Sequence, residues 1–170
     1  EVQKSIAVSV HRLLENQIEL LGLKDWYAVQ ETSIKGKNGC EFTFAGLHNM
    51  DAKNLKSYEG ADIVWVEEAE SVSKRSWNNL VPTIRAKGSE IWVTFNPDMD
   101  TDETYKRFVV SPPEDAFLVK MTWRDNPWLS EVLDGDRRKM QREDQEEYDN
   151  IWEGNPRTVV RGAIYSKEVL

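Results

Sequence analysis

Apolar residues open the chain at helical spacing. Ile6, Val10, Leu13, Leu14, Ile18 and Leu21 fall on one stripe, which predicts a helix that Gly22 stops. Trp26 to Ile34 alternates as a strand does, Gly36-Lys37-Asn38-Gly39 is a turn signal, and Cys40 to Phe44 returns as a second strand of a hairpin. Asp51 to Tyr58 reads as a short polar helix ending near Gly60. Ile63-Val64-Trp65-Val66 is a compact apolar run of the kind that makes a strand buried on both faces. Ser73 is placed to cap a helix running towards Ile84, with Trp77, Leu80 and Val81 on its apolar side and Pro82 to kink or shorten it. Ile91 to Phe95 is a second buried strand, ended by Asn96-Pro97. Asp102 to Val110 predicts a helix that Pro112-Pro113 breaks, and Phe117 to Thr122 a third strand. Glu131 to Trp152 reads as a long charged helix or helix pair, ended by Gly154-Asn155-Pro156. No internal repeat or low-complexity tract interrupts this order.

Helices alternating with short apolar strands indicate an α/β architecture with a mostly parallel sheet flanked by helices. In such sheets ligands sit beyond the carboxyl ends of the strands. Two places therefore stand out: Glu67-Glu68 after the first buried strand, and Thr94-Phe95-Asn96 at the end of the second.

Composition narrows the class. The 170 residues suffice for one sizeable core, and seven Trp, five Phe and five Tyr supply its bulk. So many aromatics exclude a disordered tail. No apolar run approaches the roughly 20 residues of a membrane span. A single cysteine, Cys40, excludes an internal disulfide and fits a reducing compartment. Two histidines and one cysteine argue against a zinc site of the usual Cys/His kind. The net charge of −8 rules out a uniformly basic nucleic-acid coat, but not a local basic site. Much of that acidity is local: residues 131–153 hold nine acids against four bases, a net −5. The late helix is thus a poor grip for DNA.

Glu67 and Glu68 point in different directions by strand alternation. One can face a metal while the other faces the reacting centre, the division that nucleotide hydrolysis needs. A phosphate-bridging magnesium takes a carboxylate, and the attacking water needs a second to orient it. An apolar strand followed by two acids therefore has the shape of a Walker B motif. It also has the shape of an ordinary surface acid pair, and from spacing alone that reading carries more weight. Thr94 and Asn96 bring a hydroxyl and an amide to the neighbouring strand end, where such groups can sense a terminal phosphate or hold water. Asn-Pro is also a plain turn signal. Two polar tips on consecutive buried strands, one helix apart, shift the balance towards a site.

The order Tyr58-Glu59-Gly60-Ala61-Asp62-Ile63-Val64-Trp65-Val66-Glu67-Glu68-Ala69-Glu70, Trp77, Pro82-Thr83-Ile84-Arg85 and Ser89-Glu90-Ile91-Trp92-Val93-Thr94-Phe95-Asn96-Pro97 closely resembles the large terminase subunit of tailed bacteriophages. Asp125-Asn126-Pro127 and Ile151-Trp152-Glu153-Gly154-Asn155-Pro156 resemble later phrases of that family, and the likeness runs from about Gln3 to Tyr165. The resemblance implies a P-loop NTPase core of the class with an added catalytic glutamate. It implies a motor that hydrolyses ATP with Mg2+ to drive double-stranded DNA into procapsids. It also implies a nuclease domain in the complete subunit, and partners in DNA, the portal protein, the small terminase subunit and further copies in a ring. The place of work would be the host cytoplasm, at the procapsid portal vertex. Carried over by position, Glu67 is the Walker B magnesium acid, Glu68 the catalytic glutamate, and Thr94, Phe95 and Asn96 the coupling motif. Glu67 departs from the commoner Asp, one methylene longer.

A P-loop needs G-x-x-x-x-G-K-[ST], whose backbone N–H groups cradle phosphates. No such run occurs in the 170 residues, and Lys4-Ser5 lacks the preceding glycines. The expectation is a partial ATPase domain over 1–156, without its first strand and P-loop, and a linker towards a nuclease domain beginning at 157–170. The isolated chain is then expected to bind ATP weakly or not at all. An open interior strand edge is expected to be covered by a second copy, as a strand-exchanged or edge-paired oligomer, or by another segment.

Arg85 is a candidate arginine finger, although a surface or salt-bridging arginine explains it more simply. Arg75, Arg107, Arg124 and Arg161 have no better claim. Lys35, Lys37, Lys53 and Lys56 are candidates for DNA phosphate contact, although lysines on turns and short helices are usually solvated. Trp65 and Trp92 sit mid-strand, where core packing is the simpler role than base stacking. Cys40 reads as a small buried hydrophobe. His11 and His48 have no partner at ligand spacing. Two other functions suit the same pattern: a helicase-like P-loop motor, against which the Phe95-Asn96-Pro97 and Trp152 to Pro156 phrases speak, and a non-catalytic protein- or DNA-interaction module.

Overall fold

The computed structural model describes residues 2–47 and 56–158, with side chains over 10–47 and 57–158. The chain divides into two units, Glu1–Asn54 and Leu55–Leu170.

The first unit opens with helix α1, Val2–Leu20. Gly22, at φ 68°, closes it. The Leu23 N–H reaches the Ile18 carbonyl at 2.8 Å and the Gly22 N–H reaches Glu19 at 3.0 Å, the Schellman arrangement that only a left-handed residue completes. Three short strands follow, β1 Tyr27–Val29, β2 Ser33–Gly36 and β3 Glu41–Thr43, in one antiparallel sheet. The expected hairpin turn at 36–39 forms, closed by the Gly39 N–H on the Gly36 carbonyl at 2.9 Å. The single strand expected over Trp26 to Ile34 is instead two strands with a turn at Gln30. Gln30, Glu31 and Thr32 offer no apolar residue to a core, so the chain reverses. Val29 then pairs with Ile34, and Ile34 is buried at 1% exposure. Cys40 is half-buried rather than buried.

The second unit carries the strands that end in polar residues. Of the helix expected over Asp51 to Tyr58, residues 51–55 lie outside the described residues; Lys56–Tyr58 form a 3-10 turn. Strands β4 Ile63–Val66 and β5 Glu90–Val93 pair in parallel, joined through helix α2, Lys74–Thr83. Ser73 caps α2 as expected, accepting from the Ser76 N–H at 3.1 Å, and Pro82 lies in its last turn. Trp77, Leu80, Val66, Ala69 and Ile84 form the apolar core around this β-α-β unit.

Burial on both faces of β4 is not found. Val66 is buried, but Ile63 and Trp65 are exposed, as is Trp92 beside them. Trp65 and Trp92 are therefore not core residues. They meet edge to face at 6.4 Å on the open side of the two-stranded sheet. The third strand, Phe117 to Thr122, does not form. The segment has the apolar content, but no described residue offers it a ladder, and a lone strand leaves its backbone groups unpaired. Phe117 is 92% exposed.

The helix expected over Asp102 to Val110 is present as α3, Glu103–Tyr105, running into a π-helical turn, Lys106–Val110. The charged segment is a helix pair, α4 Glu131–Glu143 and α5 Gln145–Ile151. Asp144 separates them and caps α5 through the Glu147 N–H at 3.0 Å. Gly154, at φ 64°, turns the chain after α5. Among the described residues no helix is long and apolar enough to cross a membrane.

Candidate functional site

The parallel register sets the geometry. Trp65 lies beside Trp92 and Val66 beside Val93. Side chains two residues apart share a face, so Glu67 and Thr94 come together one step beyond the strand ends. The Thr94 hydroxyl donates to Glu67 Oε2. Trp65 Nε1 donates to the same Thr94 oxygen at 3.0 Å. An indole N–H can only donate, so Thr94 accepts from the tryptophan and turns its own proton to the carboxylate. The result is a directed chain, Trp65 to Thr94 to Glu67.

Glu68 follows in a different conformation. Its φ of 51° makes it the one non-glycine residue with positive φ among the described residues. A Cβ-bearing residue in the left-handed region costs roughly 1–2 kcal/mol, and such strain gathers at functional positions. Thr94 also fixes this turn by its backbone. Its N–H donates to the Val66 carbonyl at 3.0 Å, and its carbonyl accepts from the Ala69 N–H at 3.1 Å. The two acids are thus bracketed between two bonds to one residue.

The remaining candidates separate. Phe95 is half-buried and Asn96 exposed. The chain beyond them is held by α5 and the segment after it. Asn150 Nδ2 donates to the Pro97 carbonyl at 2.7 Å. Arg157 reaches Asp98 at 2.5 Å and Glu147 at 2.7 Å. Arg85 is exposed and paired with Glu59 at 2.8 Å, so Glu67 and Thr94 meet but Arg85 points to a different partner. Arg107 bonds Asn78 and Glu103 at 2.6 and 3.2 Å, and Arg124 bonds Glu153 at 2.7 Å. Lys35 pairs with Glu41 at 3.2 Å, and His11 Nε2 donates to the Gln30 carbonyl at 2.7 Å. His48, Lys53 and Arg161 lie outside the described residues, as does the side chain of Lys56.

Glu153 anchors a separate structural cluster. Arg124, then Tyr148 at 2.7 Å, donate to its carboxylate, and these bonds lower its pKa to about 2. The guanidiniums of Arg137 and Arg124 lie 3.8 and 4.5 Å from the centre of the Trp123 ring, within the range of cation–π attraction.

Trp65 has a hydrogen-bonding place in the site that its reading as core missed. The signal was available: Trp65 and Glu67, like Trp92 and Thr94, share strand parity. Among the described residues no group of three or more His, Cys, Asp or Glu side chains gathers to hold a metal. A magnesium ion bound to phosphates needs only one or two carboxylates. Glu67 suits that demand, being exposed and using one oxygen on Thr94.

A family model described as phage terminase large subunit matches residues 1–155. No curated protein matches the chain.

Proposed function

The chain belongs to the phage terminase large subunit family, whose role is phage DNA packaging, and we propose that it is part of the ATPase motor of that subunit. The observation that carries the reading is the pairing of Glu67 with Thr94 at adjacent parallel strand ends, with the strained Glu68 between their backbone bonds. In this reading the β4–β5 unit is part of a P-loop NTPase core. The phosphate-cradling loop is then supplied from outside these residues, since no G-x-x-x-x-G-K-[ST] run occurs in them.

Glu67 would hold the magnesium ion, which when bound offsets phosphate charge. Thr94 orients that carboxylate by donating to it. Glu68 orients the attacking water and takes up its proton. The left-handed turn gives Glu68 a direction that the strand alternation of Glu67 does not. Thr94-Phe95-Asn96 is the coupling segment: Thr94 touches Glu67, and the chain just beyond it is held by Asn150 and Arg157. A change at the acid is thereby felt at α5. Double-stranded DNA, the portal protein, the small subunit and further copies in a ring are the partners, in the host cytoplasm at the portal vertex. Arg85 would act as an arginine finger only by leaving Glu59.

The test is DNA uptake by procapsids, read as nuclease-protected DNA, with the complete subunit carrying Glu67→Ala. The reading expects protected DNA to disappear while the protein stays folded. Uptake at the wild-type level would contradict it.

A further inference from the structure

A second relay, this one buried, follows the acid pair. Trp77 on α2 and Thr104 on α3 are both fully buried, as is Ala69, the residue after Glu68. Trp77 Nε1 donates to Thr104 Oγ1 at 2.8 Å, and Thr104 Oγ1 donates to the Ala69 carbonyl at 2.5 Å. The direction is fixed by chemistry. The indole can only donate and the carbonyl can only accept, so the hydroxyl proton must face Ala69. Ala69 in turn donates its N–H to the Thr94 carbonyl at 3.1 Å. The peptide groups on either side of Ala69 are therefore both held, one by the Thr94 backbone carbonyl and one by the Thr104 hydroxyl.

The two helices that supply the relay are themselves locked. Trp77 packs edge to face on Phe108 at 4.9 Å. Arg107 reaches Asn78 on α2 at 2.6 Å. The Trp77–Thr104 and Thr104–Ala69 bonds are buried, where such bonds reinforce one another. Left to itself, a turn with a left-handed glutamate would relax towards ordinary backbone. A carbonyl held immediately after it, and an amide held on the neighbouring strand, prevent that.

We infer that Thr104 and Trp77 are positioning residues for Glu68, a hydrogen-bonded pair that keeps its turn in the left-handed conformation. The kinetic consequence rests on the ATPase reading given above; the conformational one does not. Neither residue hydrogen-bonds to Glu67 or Glu68, so their effect passes through the Ala69 peptide.

The experiment uses the complete subunit with Thr104→Val, Thr104→Ser and Glu68→Gln. Hydrogen–deuterium exchange is followed peptide by peptide, and ATP turnover is measured well below the melting temperature. Valine keeps the shape and removes the hydroxyl; serine keeps the hydroxyl. The expected result for Thr104→Val is faster exchange confined to residues 67–72 and a kcat lower by about tenfold at unchanged KM for ATP, on the scale of one lost buried hydrogen bond. Thr104→Ser is expected to restore both. Unchanged exchange over 67–72, or equal acceleration throughout the chain, would overturn the inference. So would an unchanged kcat where Glu68→Gln is inactive. Wild-type turnover by Glu68→Gln would instead overturn the ATPase reading, and the exchange data would still decide the relay. Should Thr104→Val not fold, Trp77→Phe carries the same measurements with the same expected direction, and unchanged exchange and kcat there would count against the relay.

Discussion

Thr94 and Glu67 are joined across two parallel strands, hydroxyl to carboxylate, at the end of β4 and β5. The bond is set by register, because Trp65 lies opposite Trp92 and the next residues on that face are these two. Without the hydroxyl the carboxylate loses its orienting donor. Hydrogen bonds to charged groups contribute about 1.5–3 kcal/mol, or roughly 10–100-fold in an equilibrium. Thr94→Val in the complete subunit should lower ATP turnover by about tenfold and raise the magnesium concentration needed for half-maximal rate. Thr94→Ser should stay near wild type. A magnesium titration of the three proteins checks this, and overlapping curves would count against the assignment.

Glu68 sits at φ 51°, where glycine is comfortable and glutamate is not. Glu68→Gly should raise stability by about 1 kcal/mol, less whatever the added chain freedom costs in the unfolded state. It should also remove turnover. Thermal unfolding and an ATPase assay on the same protein read both effects. A Glu68→Gly variant less stable by more than the roughly 1 kcal/mol that glycine's chain freedom costs would mean that the left-handed turn carries no strain.

Glu153 is held well below its ordinary 4.5, at about 2, chiefly by Arg124 and then Tyr148. A carboxylate depressed in the folded state stabilises fully above its unfolded pKa, and this is lost as pH falls through the folded value. Glu153→Gln should therefore lower the melting temperature by a few degrees at neutral pH. The gap from wild type should hold down to about pH 4.5 and narrow towards pH 2. Melting curves across that range test it; a gap that widens on acidification would be the wrong sign.

The helices were the most legible part of the sequence. Ser73 as a cap, Gly22 as a stop and the charged helix pair all act locally, within a few residues of the signal. The strand end at Glu67-Glu68 was legible too, because an apolar run followed by two acids is written in one segment. Phe117 to Thr122 misled for the opposite reason. Apolar content is local, but a strand needs a neighbour, and neighbours are not local. Trp65 and Trp92 misled similarly. Their size suggests core, yet burial depends on a covering layer that sequence pattern alone does not supply. The relay through Trp77 and Thr104 spans residues 69 to 104 and leaves no signature in spacing.

Arg85 is exposed and paired with Glu59. Surface pairs of this kind contribute roughly 0–1 kcal/mol. Arg85→Ala should leave the melting temperature within about a degree or two of wild type. If Arg85 serves a neighbouring copy, turnover should fall only in the assembled ring and not in the dispersed subunit. Measuring turnover in both states distinguishes that role from the salt bridge alone, which predicts no change in either.

Glu68 is the residue on which the proposed hydrolysis depends most directly. In the complete subunit, Glu68→Gln keeps the size of the side chain and removes its ability to take a proton from water. Nucleotide binding and a single turnover of ATP should be measured on the same preparation. Binding should stay within about threefold of wild type and the hydrolysis rate should fall by roughly two or more orders of magnitude, as expected for loss of a general base. Hydrolysis at the wild-type rate with binding intact would contradict that dependence.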